Sequence, residues 1–152
     1  MLHVYLFMKL FICGIHWMQK CIRCLQTETR LKELTSRSNG WGYAKRKLKE
    51  YIRGWVGYYH LADMKCLLRV TDEWLSRRIR MCIWKAWKLP KTRIKNLVRC
   101  GINKYDARRW GYVKGYWRVS GSPIMHLAAS SQKLHQAGYP TLMGSYLEWH
   151  PK

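Results

Sequence analysis

Cys21 and Cys24 form the single C-x-x-C pair of this chain. A tetrahedral zinc site needs two further ligands at a matching spacing. His16 stands close and His3 further off, but there is no second C-x-x-C, and no metal site is read. Cys66, Cys82 and Cys100 fall in helical patterns, where thiols pack as small hydrophobes. With no convincing export signal, reduced thiols in a cytoplasmic setting are the expectation. Metal-assisted phosphoryl chemistry needs clustered carboxylates. The eight acids are scattered, and their one adjacent pair, Asp72–Glu73, lies within a helical stretch. There is no phosphate loop of the G-x-x-x-x-G-K-[ST] kind, no G-x-S-x-G elbow and no H-E-x-x-H. His60, His126 and His135 are isolated and fit surface or half-buried polar positions better than a general base. These residues give no catalytic constellation, no cofactor and no small-molecule substrate.

The chemistry that is present is cationic. Twenty-nine Lys and Arg stand against eight Asp and Glu, a formal net charge of +21. Self-repulsion at that level destabilises a compact chain, and a polyanionic partner relieves it. Nucleic acid is the first such partner, an anionic membrane surface the second. The cations are not a tail. Between Arg69 and Arg118 there are 15 of them against Asp72, Glu73 and Asp106, interleaved with apolar residues. They therefore decorate folded elements.

The elements that must carry them are helices. Asp63–Gly101 predicts one long helix, a proline break at Pro90 and a short basic helix. Leu68, Leu75, Ile79, Cys82, Ile83 and Ala86 make its buried stripe. Arg69, Arg77, Arg80, Trp84, Trp87 and Lys88 fall on or near another face, with Arg78 and Lys85 beside them. Asp63 is a candidate cap for the long helix and Thr92 for the short one, which Gly101 ends. Before it, a short helix over Thr27–Thr35 starts at Thr29 with Leu31 and Leu34 inward, and a second main helix runs from about Tyr43 to His60. Its stripe of Leu48, Tyr51, Ile52, Trp55 and Tyr59 is a core face, and Gly54 and Gly57 mark close approach of another element.

Beyond Gly101, Asn103 caps a short helix through Arg109. The segment Trp110–Val119 is irregular. Its aromatics, with Lys114 and Arg118, suit unpaired RNA and equally suit packing under a loop. Ser122–Pro123 starts a helix that runs to Ala137 and stops at Gly138. A last helix spans Thr141–Leu147. Residues 1–25 form an apolar segment interrupted by Lys9, a poor membrane span. The expected architecture is all-α, a small helical bundle over residues 26–152 with the irregular aromatic-basic segment.

Tyr51–Asp63, YIRGWVGYYHLAD, contains R-G-W-x-x-Y-Y followed by L-A-D. It resembles the maturase-specific segment, domain X, of group II intron-encoded reverse transcriptases. The likeness continues through residues 34–41, 72–102 and 115–124, and weakly at Met143–Leu147. The resemblance implies a helical domain that continues a polymerase thumb, grips group II intron RNA and assists its splicing and mobility. It carries RNA-binding roles onto Arg53; Arg77, Arg78 and Arg80; Lys88, Lys91, Arg93 and Lys95; Arg108 and Arg109; and Arg118. The catalytic aspartates of the polymerase are not in this sequence, so the expectation is a non-enzymatic, truncated copy. One alternative is a thumb-like subunit that docks on a separate reverse transcriptase core through residues 1–19; another is an inert remnant. Joint replacement of Lys91, Arg93 and Lys95 by Ala is expected to weaken RNA binding without unfolding the domain.

Overall fold

A computed structural model describes residues 27–36, 40–61 and 64–150. The apolar segment 1–25, with His3, Cys13, His16, Cys21 and Cys24, and the capping candidate Asp63 lie outside the described residues. The chain divides into two compact units, residues 1–33 and 34–152. In the first, helix α1 begins at residue 27 and ends at residue 34. It carries the i,i+3 and i,i+4 pairs Arg30–Glu33 (2.7 Å) and Lys32–Glu28 (3.7 Å). Thr29, expected as its cap, lies inside the helix; Leu31 is buried and Leu34 half-buried.

The second unit is all-α, as expected: α2 (Trp41–Tyr59), α3 (Lys65–Ala86), α4 (Pro90–Arg99), α5 (Lys104–Gly111), α6 (Tyr116–Ser120), α7 (Pro123–Ala128), α8 (Ser131–Gln136) and α9 (Leu142–Trp149). No strand occurs among the described residues. Helix α2 buries Ala44, Leu48, Ile52 and Val56, a strict i,i+4 row. The aromatics expected in its core face, Tyr51, Trp55 and Tyr59, are only half-buried. The narrower aliphatic row lets α9 approach closely. At Gly57 an added Cβ would lie 3.5 Å from the Trp149 indole, whereas Gly54 faces open space.

Helix α3 is the axis of the unit and packs on α6 and α9. The expected stripe of Leu68, Leu75, Ile79 and Cys82 is buried; Ile83 is half-buried and Ala86 exposed. The flank carrying Arg80 and Trp84 is not the open face the sequence suggests. Trp84 is fully buried and Arg80 is 4% exposed, because α6 and α7 cover that side. Around Trp84 gather Leu97, Ala107, Val119, Ile124, Met125 and Ala128, so five helices share one core. Of the cysteines, Cys82 is buried and donates its thiol to the Thr35 carbonyl at 3.0 Å, Cys100 is half-buried, and Cys66, expected to pack inward, is exposed.

The junctions follow local chemistry. Leu89 is extended (φ −91°, ψ 143°), as a residue before proline must be, and Pro90 opens α4. Thr92 therefore lies inside the first turn and not at the cap. Gly101 takes φ +92°; its N–H donates to Val98 and that of Ile102 to Leu97, a Schellman closure. Gly138 (φ +87°) closes α8 in the same way, through His135 and Leu134. The single helix expected over 123–137 is two, broken at Ala129–Ser130. Ser130 accepts from the Lys133 N–H as the cap of α8. The carbonyls freed at the break are taken by Arg80, on Ala129 (3.1 Å), and by Lys133, on Leu127 (2.8 Å). The segment 110–119 is likewise less irregular than expected, since residues 116–120 are helical.

Helix α9 is held by an acid from the middle of α3. The Asp72 carboxylate accepts from the Leu142 N–H (2.7 Å) and the Met143 N–H (2.8 Å), while Thr141 accepts from Gly144 (3.1 Å). Burial raises the Asp72 pKa, against the pull of these two backbone bonds.

The α4–α5 pair tests the packing most sharply. A Cβ at Gly111 would meet Ile94 Cγ1 at 2.5 Å and Cδ1 at 3.2 Å. Ile94 is β-branched and cannot swing clear cheaply. Gly111→Ala is expected to lower stability by about 1–3 kcal/mol. In an Ile94→Ala background the same change should cost distinctly less, as read by a double-mutant cycle in chemical denaturation.

Candidate nucleic-acid interface

The twelve cations singled out above separate into three groups. Two are interior. The Arg93 guanidinium lies over the Trp84 ring, 4.8 Å from its centroid, donates Nε to the Trp87 carbonyl (2.9 Å) and Nη1 to that of Gly111 (3.4 Å), and is 8% exposed. It ties the end of α3 to α4 and α5. Arg80 donates Nε to Ala129 and Nη1 to the His126 ring Nε2 (3.1 Å), tying α3 to α7.

A second group is half-engaged or dispersed. Arg78 donates to the Thr35 hydroxyl (3.3 Å). Arg77 stacks on the Trp117 ring, 4.2 Å from its centroid, and donates to the Trp117 carbonyl (3.2 Å). Lys88 borders a cleft between α2 and α3 with Trp41 and Tyr139. Arg53 borders another with Lys49, His135 and Glu148. Arg109, Lys114 and Arg118 are exposed on α5, the following loop and α6.

The third group is assembled by the fold. Lys91, Lys95 and Arg108 line a shallow cleft between α4 and α5, together with Arg99 and Lys104. Its remaining lining is Ile94 and Val98. Five cations over an apolar floor, with no acid among the lining residues, make a strip suited to a phosphate backbone. The ion pairs among the described residues join Arg30–Glu33, Lys32–Glu28 and Lys47–Glu50, and none involves this cleft. Arg99 was missed although its place was legible: Lys91, Lys95 and Arg99 stand at i, i+4 and i+8. Lys104 was not legible, because only the reversal at Gly101 folds α5 back onto α4.

Among the described residues no group of His, Cys, Asp and Glu could hold a metal ion. No helix among them is long and apolar enough to cross a membrane.

Arg93 is thus a structural cation, and the triple Lys91, Arg93 and Lys95 replacement mixes two effects. Arg93→Ala alone is expected to lower stability by about 2 kcal/mol or more, since it uncovers Trp84 and leaves two carbonyls without a donor. Lys91→Ala should stay within about 0.5 kcal/mol of the parent. Urea denaturation of the two single variants checks this.

The Arg80–His126 bond requires a neutral imidazole, because Nε2 must accept. Partial desolvation, then Arg80 and Arg77, lower the His126 pKa. The unfolded chain therefore takes up this proton more readily than the folded one, and stability from this group is lost as pH falls below about 6.5. His126→Gln, which keeps an acceptor for Arg80, should reduce the drop in denaturation midpoint between pH 7.5 and 5.5.

No curated protein matches the chain. The family model for the group II intron maturase-specific domain matches residues 25–101, half of the chain, taking in α2, α3 and α4 up to the closing Gly101. That domain is not itself catalytic, and its presence implies dealings with group II intron RNA in general. With an all-α scaffold that fits and a match over half its length, this chain belongs to the group II intron maturase-specific domain family.

Proposed function

We propose that this domain binds group II intron RNA by seating a stretch of its phosphate backbone in the α4–α5 cleft, and that this grip assists folding of the intron for splicing. The observation that carries the reading is the acid-free strip of Lys91, Lys95, Arg99, Lys104 and Arg108 on a pair of helices locked from inside by Arg93. The lock matters because a rigid strip loses little side-chain and backbone freedom when RNA arrives. The exposed ammonium and guanidinium groups stay hydrated until then and release counterions from the RNA when they bind. Arg80 and Arg93 act indirectly, by holding the helices that present the others. The apolar floor of Ile94 and Val98 adds contact for a sugar or base edge, so that groove shape and unpaired nucleotides, and not charge alone, contribute to choice of RNA.

The test uses the full chain, a group II intron RNA and a size-matched unrelated structured RNA. Log affinity should fall with log salt by roughly 0.7–0.9 per phosphate contacted. Joint replacement of Lys91, Lys95 and Arg108 by Ala should weaken intron binding at least about tenfold and reduce the salt slope by about two to three units, with the denaturation midpoint unchanged. A preference for the intron RNA that survives raised salt, and splicing of that RNA stimulated by the parent but not by the variant, are the expected outcomes. An unchanged slope in the variant would remove the cleft from the interface, and equal affinity for both RNAs would remove the intron-specific reading.

A further inference from the structure

The aromatic-basic segment after α5 has a division of labour that its composition left open. Val119 is buried, and Trp110 and Val113 pack half-buried against the Trp84 core. Tyr112, Tyr116 and Trp117 do the opposite: they are 67%, 45% and 41% exposed. Two of the three exposed rings are backed by a cation from α3. Arg77 lies 4.2 Å from the Trp117 ring centroid, and Lys85 lies 5.2 Å from that of Tyr116. In each of the two rings a cation thus stands over one face.

The mount of Trp117 is stiff. Its carbonyl accepts from Arg77 Nη2 (3.2 Å) and from the Ser120 hydroxyl (2.7 Å). Beneath the guanidinium lies Gly121, where an added Cβ would sit 3.1 Å from Arg77 Cζ, Nε and Nη2. A side chain there would make the guanidinium give by a few tenths of an ångström, so glycine leaves room for the stack of Trp117 on Arg77. Ordinary packing does not account for a tryptophan fixed this carefully and left open to water. Around it stand Arg77, Lys85, Lys114 and Arg118, none in an ion pair among the described residues. Glu73, one turn before Arg77 on α3, makes no ion pair among the described residues either. This charge favours a polyanion over a protein surface.

We infer that Trp117 and Tyr116 form a stacking platform for unpaired nucleobases, a subsite separate from the α4–α5 cleft and built from α3 and α6. The inference rests on the RNA-binding reading above and gives it a second element: the cations of the cleft take phosphates of any strand, while the platform adds a selection for bases free of a duplex. A ring held flat by a cation on its inner face presents an immobilised outer face, and base–aromatic stacking tolerates any base because each has a π-face.

The experiment compares the full chain on two probes, a single-stranded 12-mer RNA and the blunt duplex formed from the same strand. The parent is expected to prefer the single strand. Trp117→Ala should cut that preference by about tenfold or more, while Trp117→Phe should retain most of it with a denaturation midpoint close to the parent's. The Lys91, Lys95 and Arg108 variant should lower affinity for both probes and leave their ratio unchanged. A 2-aminopurine placed in the single strand should be quenched by the parent and not by Trp117→Ala. If Trp117→Ala keeps the parental ratio while the cleft variant still loses affinity, the platform is overturned, the cleft reading stands, and the aromatic face is left to a protein partner. If the parent binds neither probe, both readings fall together.

Discussion

A single buried guanidinium sets the geometry of the half of the domain built from α3, α4 and α5. Arg93 covers the ring of Trp84, which is wholly buried at the centre of the core. It also bonds the backbone at the end of α3 and at the end of α5. A charge taken out of water needs partners on every side. Here the partners are a π-face and a carbonyl at the end of α3 and a carbonyl at the end of α5, so the charge, carried on α4, can be satisfied only when α3, α4 and α5 are in place together. The α4–α5 cleft is a by-product of that requirement. Its walls stand where Arg93 and the tight Gly111–Ile94 approach put them.

The same device recurs across the unit. Eight acids cannot neutralise 29 cations, and the ion pairs among the described residues are confined to α1 and α2. Interior and bridging cations turn instead to backbone carbonyls: Arg77 to Trp117, Arg80 to Ala129, Lys133 to Cys100 and Leu127, and Lys45 to Ala137. Most of these carbonyls lie in the last turn of a helix or just past it, where they lack intrahelical donors and carry the negative end of the dipole. A chain of many short helices has many such ends. Short helices and a cationic sequence are therefore mutually supportive, and cations that such ends do not use, Lys91, Lys95, Arg99, Lys104 and Arg108 among them, stay at the surface. Asp72 is the mirror image, an acid used at the positive end of α9.

Much of the scaffold was legible from local chemistry. The helix lengths, the stop at Pro90 and the closures at Gly101 and Gly138 depend on φ restrictions and capping bonds that act over four or five residues. Residue type alone predicts such features well. The family resemblance at Tyr51–Asp63 and 72–102 falls within or across the matched span, and the helical class follows from periodicity. The break at Ala129–Ser130 was not legible, because nothing local forbids a helix there. It is stabilised by Arg80 and Lys133, which reach its carbonyls from α3 and from the following turn.

A helical, strongly cationic chain with the motifs of a group II intron maturase-specific domain can be read from residue order, because periodicity, charge and short motifs are properties of neighbours along the chain. Which cations are structural and which stay at the surface depends on how the helices pack. Arg80 and Arg93 carry the same side chain as Arg99 and Arg108, and a helical wheel places Arg80 and Trp84 outward as plausibly as inward. Their burial follows from α4, α5, α6 and α7 closing on the second flank of α3, contacts between residues up to some fifty positions apart. Likewise the rings of Trp110 and Trp117 are chemically equal in the sequence. One packs against the core from α5 and the other stays half in water on Arg77, on a separate helix, α6, that starts after Gly115 with its left-handed φ of +95°.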